Sequence, residues 1–428
     1  MEAEERFLRL VMTFAEQGAQ CLGLNKDEAL ELTLAVEEVF THLCRVVMPT
    51  GGPLEIRCGS GGYFVEVAFS FRSDALDLRA FNLTATVSIE DDAELDGMGL
   101  FIASRFVDRF KLSRELGDTL RLSLVKEKSY PPAADEGPPE LGPIQEYTLR
   151  PPTAEEVKFI ARLARFSYPG RFLSDFFLHP GKLADMMAAG EYQAVAAVGP
   201  TGRFGGAMLW HWVGPKMVEC FGPYIFGSQG DSGMPEALLE SCIGAIARTQ
   251  AVGLINTRPT PELPRRHFER LGTLTVHSED GTRTPVDAWF RLMQEDAGCA
   301  VWAHPELRDF LQREYRRLVL PREIRLTRNA GESLPPHSVF AAEFDRLHAR
   351  VVLRPMWPGS DAEENMVRHV RLLREDSSLN ILFALDLGRP WQAELAPGLL
   401  RQRFQPCCIL PYAGEGDVIL LEHHGEPS

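Results

Sequence analysis

Between Glu127 and Pro143 the chain carries five prolines and little that is apolar. Proline lacks an N–H and pushes the residue before it out of the helical region, so such a stretch reads as an extended connection. It divides a 428-residue chain into parts that must each bury their own apolar surface. The expected organisation is a first domain over residues 1–127, a linker over 128–145, a second domain over 146–295 and a further half-repeat over 296–428. Length alone supports two or three domains, and a hydrophobic content of 45% is enough for real cores.

The first region alternates helix and strand signals. Phe7, Leu10, Val11 and Phe14 share one face of a helix within residues 1–24. Asn25 and Glu28 stand at capping-box spacing before a second helix. That helix has Leu32, Val36, Val39, Leu43 and Val47 on one side, with Glu38 and His42 on an adjoining strip, four residues apart. Leu54–Cys58 and Tyr63–Phe69 read as strands around the turn Gly59-Ser60-Gly61-Gly62. Further on, Gly97-Met98-Gly99 opens a run with Leu100, Ile102, Ala103, Phe106 and Val107 at helical spacing. Glycines at a helix start let backbone N–H groups approach a ligand, and the partial positive charge there suits a phosphate. Gly117-Asp118-Thr119 is a turn feeding a last alternating strand.

This order resembles the GHKL ATP-binding fold, and within it the anti-sigma-factor serine kinases of bacteria. The resemblance covers about residues 1–127 and implies ATP as cofactor. It places Glu38 as the acid that polarises an attacking hydroxyl, and Gly97, Gly99 and Thr119 at the nucleotide. It also implies a partner protein of the anti-sigma or antagonist type, and leaves a homodimer open. The family pattern is not complete. His42 stands where the family has a magnesium-binding Asn, and magnesium prefers oxygen ligands. Asp77 fits the trailing Asp of an adenine-side motif, which puts Phe71 where the adenine-reading Asp belongs and Ser73 at the glycine. Two readings follow: a nucleotide site of weakened design, or a retired one kept as a scaffold.

After the proline stretch, Tyr147–Arg150 and a capped helix from Ala154 are followed by strands at Tyr192–Val198, Gly206–Val213 and Met217–Phe221. A glycine-bearing loop and a helix with Leu238, Leu239, Cys242, Ile243 and Ile246 on its buried side come next, then a strand at Val252–Asn256 and the turn His267–Gly272. The order resembles GNAT acyltransferases, which bind the pyrophosphate of acyl-CoA on a Gln/Arg-x-x-Gly-x-Gly/Ala turn at a helix start. Here that stretch is Gly230-Asp231-Ser232-Gly233-Met234-Pro235. Gly233 matches, Gly230 replaces the Gln/Arg, Gln229 sits one place early, and Pro235 removes an N–H donor. On the third strand Glu219 occupies a place where some GNAT enzymes keep a general base. The Gly-Asp-Ser-Gly run has no flanks of a Ser-His-Asp hydrolase.

The tail repeats the middle. From Pro223 to Gly272 and from Pro355 to Phe404 the separation is the same, with strand, helix, strand and turn in the same order, so a duplicated half-fold is expected. The fold class is therefore α/β: a GHKL-like α/β sandwich followed by a tandem GNAT-like mixed-sheet α/β unit. A net charge of −15 and the lack of a basic run argue against nucleic acid. No apolar run is long enough to span a membrane, the acidic N-terminus is unlike a secretory signal, and eight cysteines without a CxxC pair suggest neither a disulfide scaffold nor a metal site. A cytoplasmic setting is expected. Two functions compete. One is a bacterial signalling protein with a degenerate ATP-binding domain and a ligand- or partner-recognition module. The other is an N-acyltransferase that uses acyl-CoA under ATP-binding regulation.

Overall fold

The structure is a computed structural model. It describes residues 1–47, 53–73, 78–85, 92–115, 119–133, 144–227, 233–277, 283–328, 331, 333–376 and 378–425. The chain forms two compact units. One comprises Met1–Ser129 with Leu334–Ala341 and Pro355–His369; the other comprises Tyr130–Ser333, Ala342–Arg354 and Val370–Ser428.

The first unit contains α1 (Leu8–Cys21), α2 (Lys26–Val47), β1 (Glu55–Ser60), β2 (Phe64–Phe71), α3 (Asp92–Phe106), β3 (Arg109–Arg114) and β4 (Leu120–Glu127). The sequence dictates where α2 starts: the Asn25 side chain accepts from the Glu28 N–H at 3.0 Å, and the Glu28 carboxylate accepts from the Asn25 N–H at 2.8 Å. Two first-turn donors are thereby satisfied reciprocally. The strands form an antiparallel sheet in the order β1-β2-β4-β3. Val65, Val67, Phe69 and Phe71 alternate inward along β2 and are buried, as a strand period of two requires when one face meets a helical layer. Leu32, Val36, Val39, Leu43 and Val47 of α2 meet them in one core. The result is a two-layer α/β sandwich.

Two late segments complete this unit. The Asn82 side chain donates to the Ser338 carbonyl at 2.9 Å and accepts from the Phe340 N–H at 2.9 Å and from the Asn365 amide at 3.1 Å. Asn365 also donates to the Ser338 carbonyl at 3.0 Å, and Asp361 accepts from the Ser338 N–H at 2.6 Å. Asn82, Ser338 and Asn365 are all buried. Buried polar groups are expensive to leave unpaired, so these bonds fix the register of 334–341 against the loop at Asn82.

From Tyr130 onward the elements are β5 (Thr148–Arg150), α4 (Ala154–Ser167), α5 (Pro180–Ala188), β6 (Tyr192–Val198), β7 (Phe204–Gly214), β8 (Met217–Ile225), α6 (Met234–Ile246), β9 (Gly253–Asn256), β10 (Glu269–His277) and β11 (Arg283–Leu292). A small parallel pair follows, β12 (Cys299–Ala303) and β13 (Arg322–Leu326), joined through α7 (Arg308–Arg317). Then come β14 (Val339–Asp345), β15 (Arg350–Trp357), α8 (Ala362–Leu373), β16 (Asn380–Asp386), α9 (Pro390–Ala393), α10 (Ala396–Arg401), β17 (Phe404–Leu410) and β18 (Val418–His423). A single sheet of twelve strands runs in the order β14-β15-β16-β18-β17-β10-β11-β9-β8-β7-β6-β5.

That order is nearly a palindrome about its middle. β8 pairs parallel with β9, β9 antiparallel with β11, and β11 antiparallel with β10. Likewise β15 pairs parallel with β16, β16 antiparallel with β18, and β18 antiparallel with β17. The two halves meet at an antiparallel contact, Gly272 opposite Cys408. The equal spacing in the sequence thus corresponds to two copies of one strand–helix–strand–hairpin plan, α6 answering to α8. The linker expected at 128–145 is described only at its ends. Tyr130 donates to Asp185 at 2.6 Å and the Ala133 N–H to the Leu178 carbonyl at 2.9 Å, so its first residues are held against α5 and the turn before it. Residues 134–143 lie outside the described residues.

Asn82→Ala removes the acceptor of the buried Phe340 N–H. The expected loss is on the order of 1–3 kcal/mol, read as a lower urea midpoint. Asn82→Asp restores that acceptor but buries a charge against the Ser338 carbonyl, and is expected to lose at least as much.

Candidate functional site

In the first unit Glu38 lies half-buried on α2 and faces Gly99 on α3. A Cβ at Gly99 would meet the tip of the Glu38 carboxylate, which would have to turn aside to admit it. Burial and the neighbouring Glu37 push the Glu38 carboxyl above its usual range, against a smaller opposing effect of Arg45. The expectation that Gly97 and Gly99 open a helix is corrected. α3 begins at Asp92, and both glycines lie inside it. Each interior glycine costs about 1 kcal/mol of helix propensity, which the burial of Leu100 and Ala103 outweighs. His42 is half-buried one turn beyond Glu38 on α2. Thr119 precedes β4, and its carbonyl accepts from the Glu115 N–H at 2.7 Å. Phe71 is buried at the end of β2, opposite Leu120. Asp77 lies outside the described residues.

In the second unit Gly233 caps α6 with φ +64°, a left-handed conformation natural to glycine, and the space where its Cβ would stand is open. Pro235 sits in the first turn of that helix. Gln229 and Gly230 lie outside the described residues.

Glu219, by contrast, sits inside a charge network. It stands on β8 where that strand pairs with β9, opposite Ile255. Beyond this point the strands part, and Asn256 donates to the Gly222 carbonyl at 3.0 Å while Thr260 donates to the Pro223 carbonyl at 2.8 Å. The Thr257 hydroxyl donates to Glu219 Oε1. His211 Nε2 lies 3.5 Å from Oε2, and Arg258 Nη1 lies 3.8 Å from Oε1. Burial alone would raise the Glu219 pKa; His211, Arg258 and Thr257 outweigh it and hold the carboxyl at about 2.

Arg258 extends the network to the second half-repeat. Asp345 Oδ2 accepts from Arg258 Nη2 at 3.0 Å and from Arg350 Nη2 at 2.7 Å, and the His348 ring lies 2.7 Å from Oδ1. Burial opposes ionisation of Asp345, but His348 and the two arginines hold its pKa far below the usual range. Burial keeps His348 below its ordinary pKa, in spite of Asp345, so the ring is neutral near pH 7. Glu219, Thr257, Arg258, Asp345 and Arg350 line a cavity of about 350 Å³. Val213 and Ile255 of the first half-repeat and Val352, Leu382 and Leu420 of the second form apolar wall. Residues from strands of both half-repeats thus line one hollow.

Of the residues singled out by sequence, the structure brings Glu38 to Gly99 and puts Glu219 at the cavity. Arg258, Asp345, His348 and Arg350 carry no local motif that would have singled them out. Among the described residues no group of three His, Cys, Asp or Glu is placed to hold a metal ion, and no helix is long and apolar enough to cross a membrane.

Residues 1–124 match the family model of the histidine kinase-like ATPase domain. No curated protein matches the chain significantly. Solved structures similar to the chain include a GNAT-superfamily phosphinothricin acetyltransferase from Sinorhizobium meliloti in complex with AcCoA, at 19% identity and TM-score 0.30, over 34% of this chain and 88% of that one. A putative acetyltransferase from Acinetobacter baylyi is similar at 13% identity and TM-score 0.29, over 34% of this chain and 93% of that one. A spermidine/spermine N-acetyltransferase from Vibrio cholerae is similar at 14% identity and TM-score 0.28, over 34% and 92%. The family match thus covers the first unit's helices and sheet as far as residue 124, and a mixed sheet follows it.

Glu219 and Asp345 both have folded-state pKa values below their unfolded ones. Their ionised forms therefore contribute stability that is whole above the ordinary carboxylate value, 4.5 for Glu219, and is lost as pH falls towards about 2. The urea midpoint is expected to drop over that window, with a shallower drop in Glu219→Gln, which has no proton to take up at this position.

Proposed function

We propose that the chain is a bacterial regulatory protein of the cytoplasm. Its N-terminal domain binds ATP weakly, and its acyltransferase-like half recognises a ligand or a partner instead of transferring an acyl group. The observation that carries this reading is the state of Glu219. A general base works best with a pKa near the operating pH. A carboxylate held at about 2, hydrogen-bonded by Thr257 and facing Arg258, is a weak proton acceptor. Its role in this reading is to balance the charge of Arg258.

For the N-terminal domain, the family match supports nucleotide as the ligand. Glu38 closing on Gly99 and a His at the Asn position support weak binding with little need of magnesium. No phosphotransfer is expected, since the proposed acid, Glu38, lacks the metal ligand that the resemblance places beside it. A protein partner of the anti-sigma or antagonist type would then be recognised without being phosphorylated.

The second reading, an N-acyltransferase, is favoured by Gly233, whose left-handed conformation leaves open space at the start of α6. In that reading Glu219 is catalytic and acyl-CoA lies against Gln229, Gly230 and Gly233. A proline in the first turn removes one N–H donor, and a charge-assisted hydrogen bond is worth roughly 1.5–3 kcal/mol, so at least about a tenfold loss of affinity follows.

Calorimetric titration of the intact chain separates the readings. ATP is expected to bind no tighter than about 100 μM, that is about −5.5 kcal/mol, with less than a twofold effect of magnesium. Acetyl-CoA is expected to give no saturable heat in that range. Tight magnesium-dependent ATP binding would overturn the account of His42. Micromolar acetyl-CoA binding that Gly233→Val destroys would make the chain an acyltransferase.

A further inference from the structure

The cavity between the half-repeats has more hydrogen-bond donors than acceptors. An arginine offers five N–H donors. Among the described residues Arg350 uses one of them, to Asp345. Arg258 likewise donates one hydrogen bond, to the same oxygen. The Nε atoms of Arg258 and Arg350 are buried without an acceptor. The carboxylates, by contrast, are well served. Asp345 accepts from His348, Arg258 and Arg350, and Glu219 accepts from Thr257 and faces His211. Two guanidinium groups also share a single oxygen of Asp345. Burial and the neighbouring Arg258 hold the Arg350 pKa below its ordinary value, in spite of Asp345 and Glu219. A further acceptor placed at the two guanidinium groups would relieve this shortage.

The rest of the hollow is apolar. Leu274, Phe344, Leu410 and Val418 complete the wall begun by Val352 and Leu420, and the volume of about 350 Å³ is at the lower end of those that hold small ligands. Glu343 and Arg354, paired at 2.9 Å, stand at the exposed side of the cavity. This combination selects a ligand with one anionic end and a short hydrocarbon body.

We propose that this cavity binds a small monocarboxylate, its carboxylate seated on the free N–H groups of Arg258 and Arg350 and its apolar body against Val352, Leu382 and Leu420. The proposal deepens the reading of this half as a recognition module and rests on it. Ligand occupancy would tie β8 and β9 of one half-repeat to β15 and β16 of the other, since Arg258 and Arg350 come from the two halves.

Hexanoate, hexanamide and hexylammonium titrated into the intact chain test the inference, by calorimetry and by the shift in thermal midpoint that binding to the folded state produces. Hexanoate is expected to bind at least tenfold tighter than either analogue. Arg350→Gln is expected to weaken it at least tenfold. Val352→Trp, which fills the hollow and leaves every charged group in place, is expected to abolish binding while the far-ultraviolet circular dichroism stays that of the parent. Equal binding of hexanoate and hexanamide, or no hexanoate binding at about 10 mM to a folded chain, beyond a free energy of about −3 kcal/mol, would overturn the carboxylate site. So would tightest binding of hexylammonium, which would assign the ligand to Glu219, Glu343 and Asp175. The same samples are assayed for acetyl transfer from acetyl-CoA to hexylamine. Turnover sinks the recognition-module reading and this inference with it; failure of hexanoate without turnover sinks this inference alone.

Discussion

Asp345 holds two arginines that the chain supplies ninety-two positions apart, Arg258 and Arg350. Bringing charged groups out of water costs several kcal/mol for each ion, and the cost is recovered only if every charge finds good partners. Arg258 satisfies that condition by reaching from Glu219 to Asp345, so the ends of β8 and β9 must lie across from β14 and β15. The charged lining of the hollow and the state of Glu219 both depend on this linkage. Removing Asp345 would leave two buried cations facing each other, which is why its geometry constrains so much around it.

Glu219 shows how environment decides chemistry. Its place on a strand raises the expectation of a base. Buried against Arg258 and Thr257, with His211 close by, it has the pKa of a counter-ion. The same residue type at Glu38 is pushed the other way, because burial there is not offset by a close cation and Glu37 adds repulsion. Two carboxylates with opposite shifts sit in the two units, and in each the burial and the distant partners of the side chain weigh in the outcome.

The N-terminal unit depends on a different kind of contact. Asn82 satisfies the backbone of residues 338 and 340 in place of a regular strand partner. Such knots are stiff because each member has a fixed set of donors and acceptors and no water to replace a lost partner. At Gly99 of α3 the Glu38 carboxylate of α2 occupies the space that a Cβ would take.

Local patterns were enough for the elements. The capping pair Asn25 and Glu28, the stripe from Leu32 to Val47, the strand from Tyr192 to Val198 and the equal spacing in the two half-repeats are properties of short stretches, so the sequence alone determined them and with them the α/β class. The resemblance to the histidine kinase-like ATPase fold was also legible, since it lies in residue types at close spacing. The start of α3 was misjudged because glycine is a weak local signal that packing overrides. What only the tertiary structure decided is the surroundings of each charge. Arg258, Asp345 and Arg350 meet because strands distant in the chain are brought together in one sheet, which no short stretch specifies. Asn82 meets Ser338 for the same reason: hydrogen bonds and Coulomb forces act across space, while a sequence records only what is adjacent along the backbone.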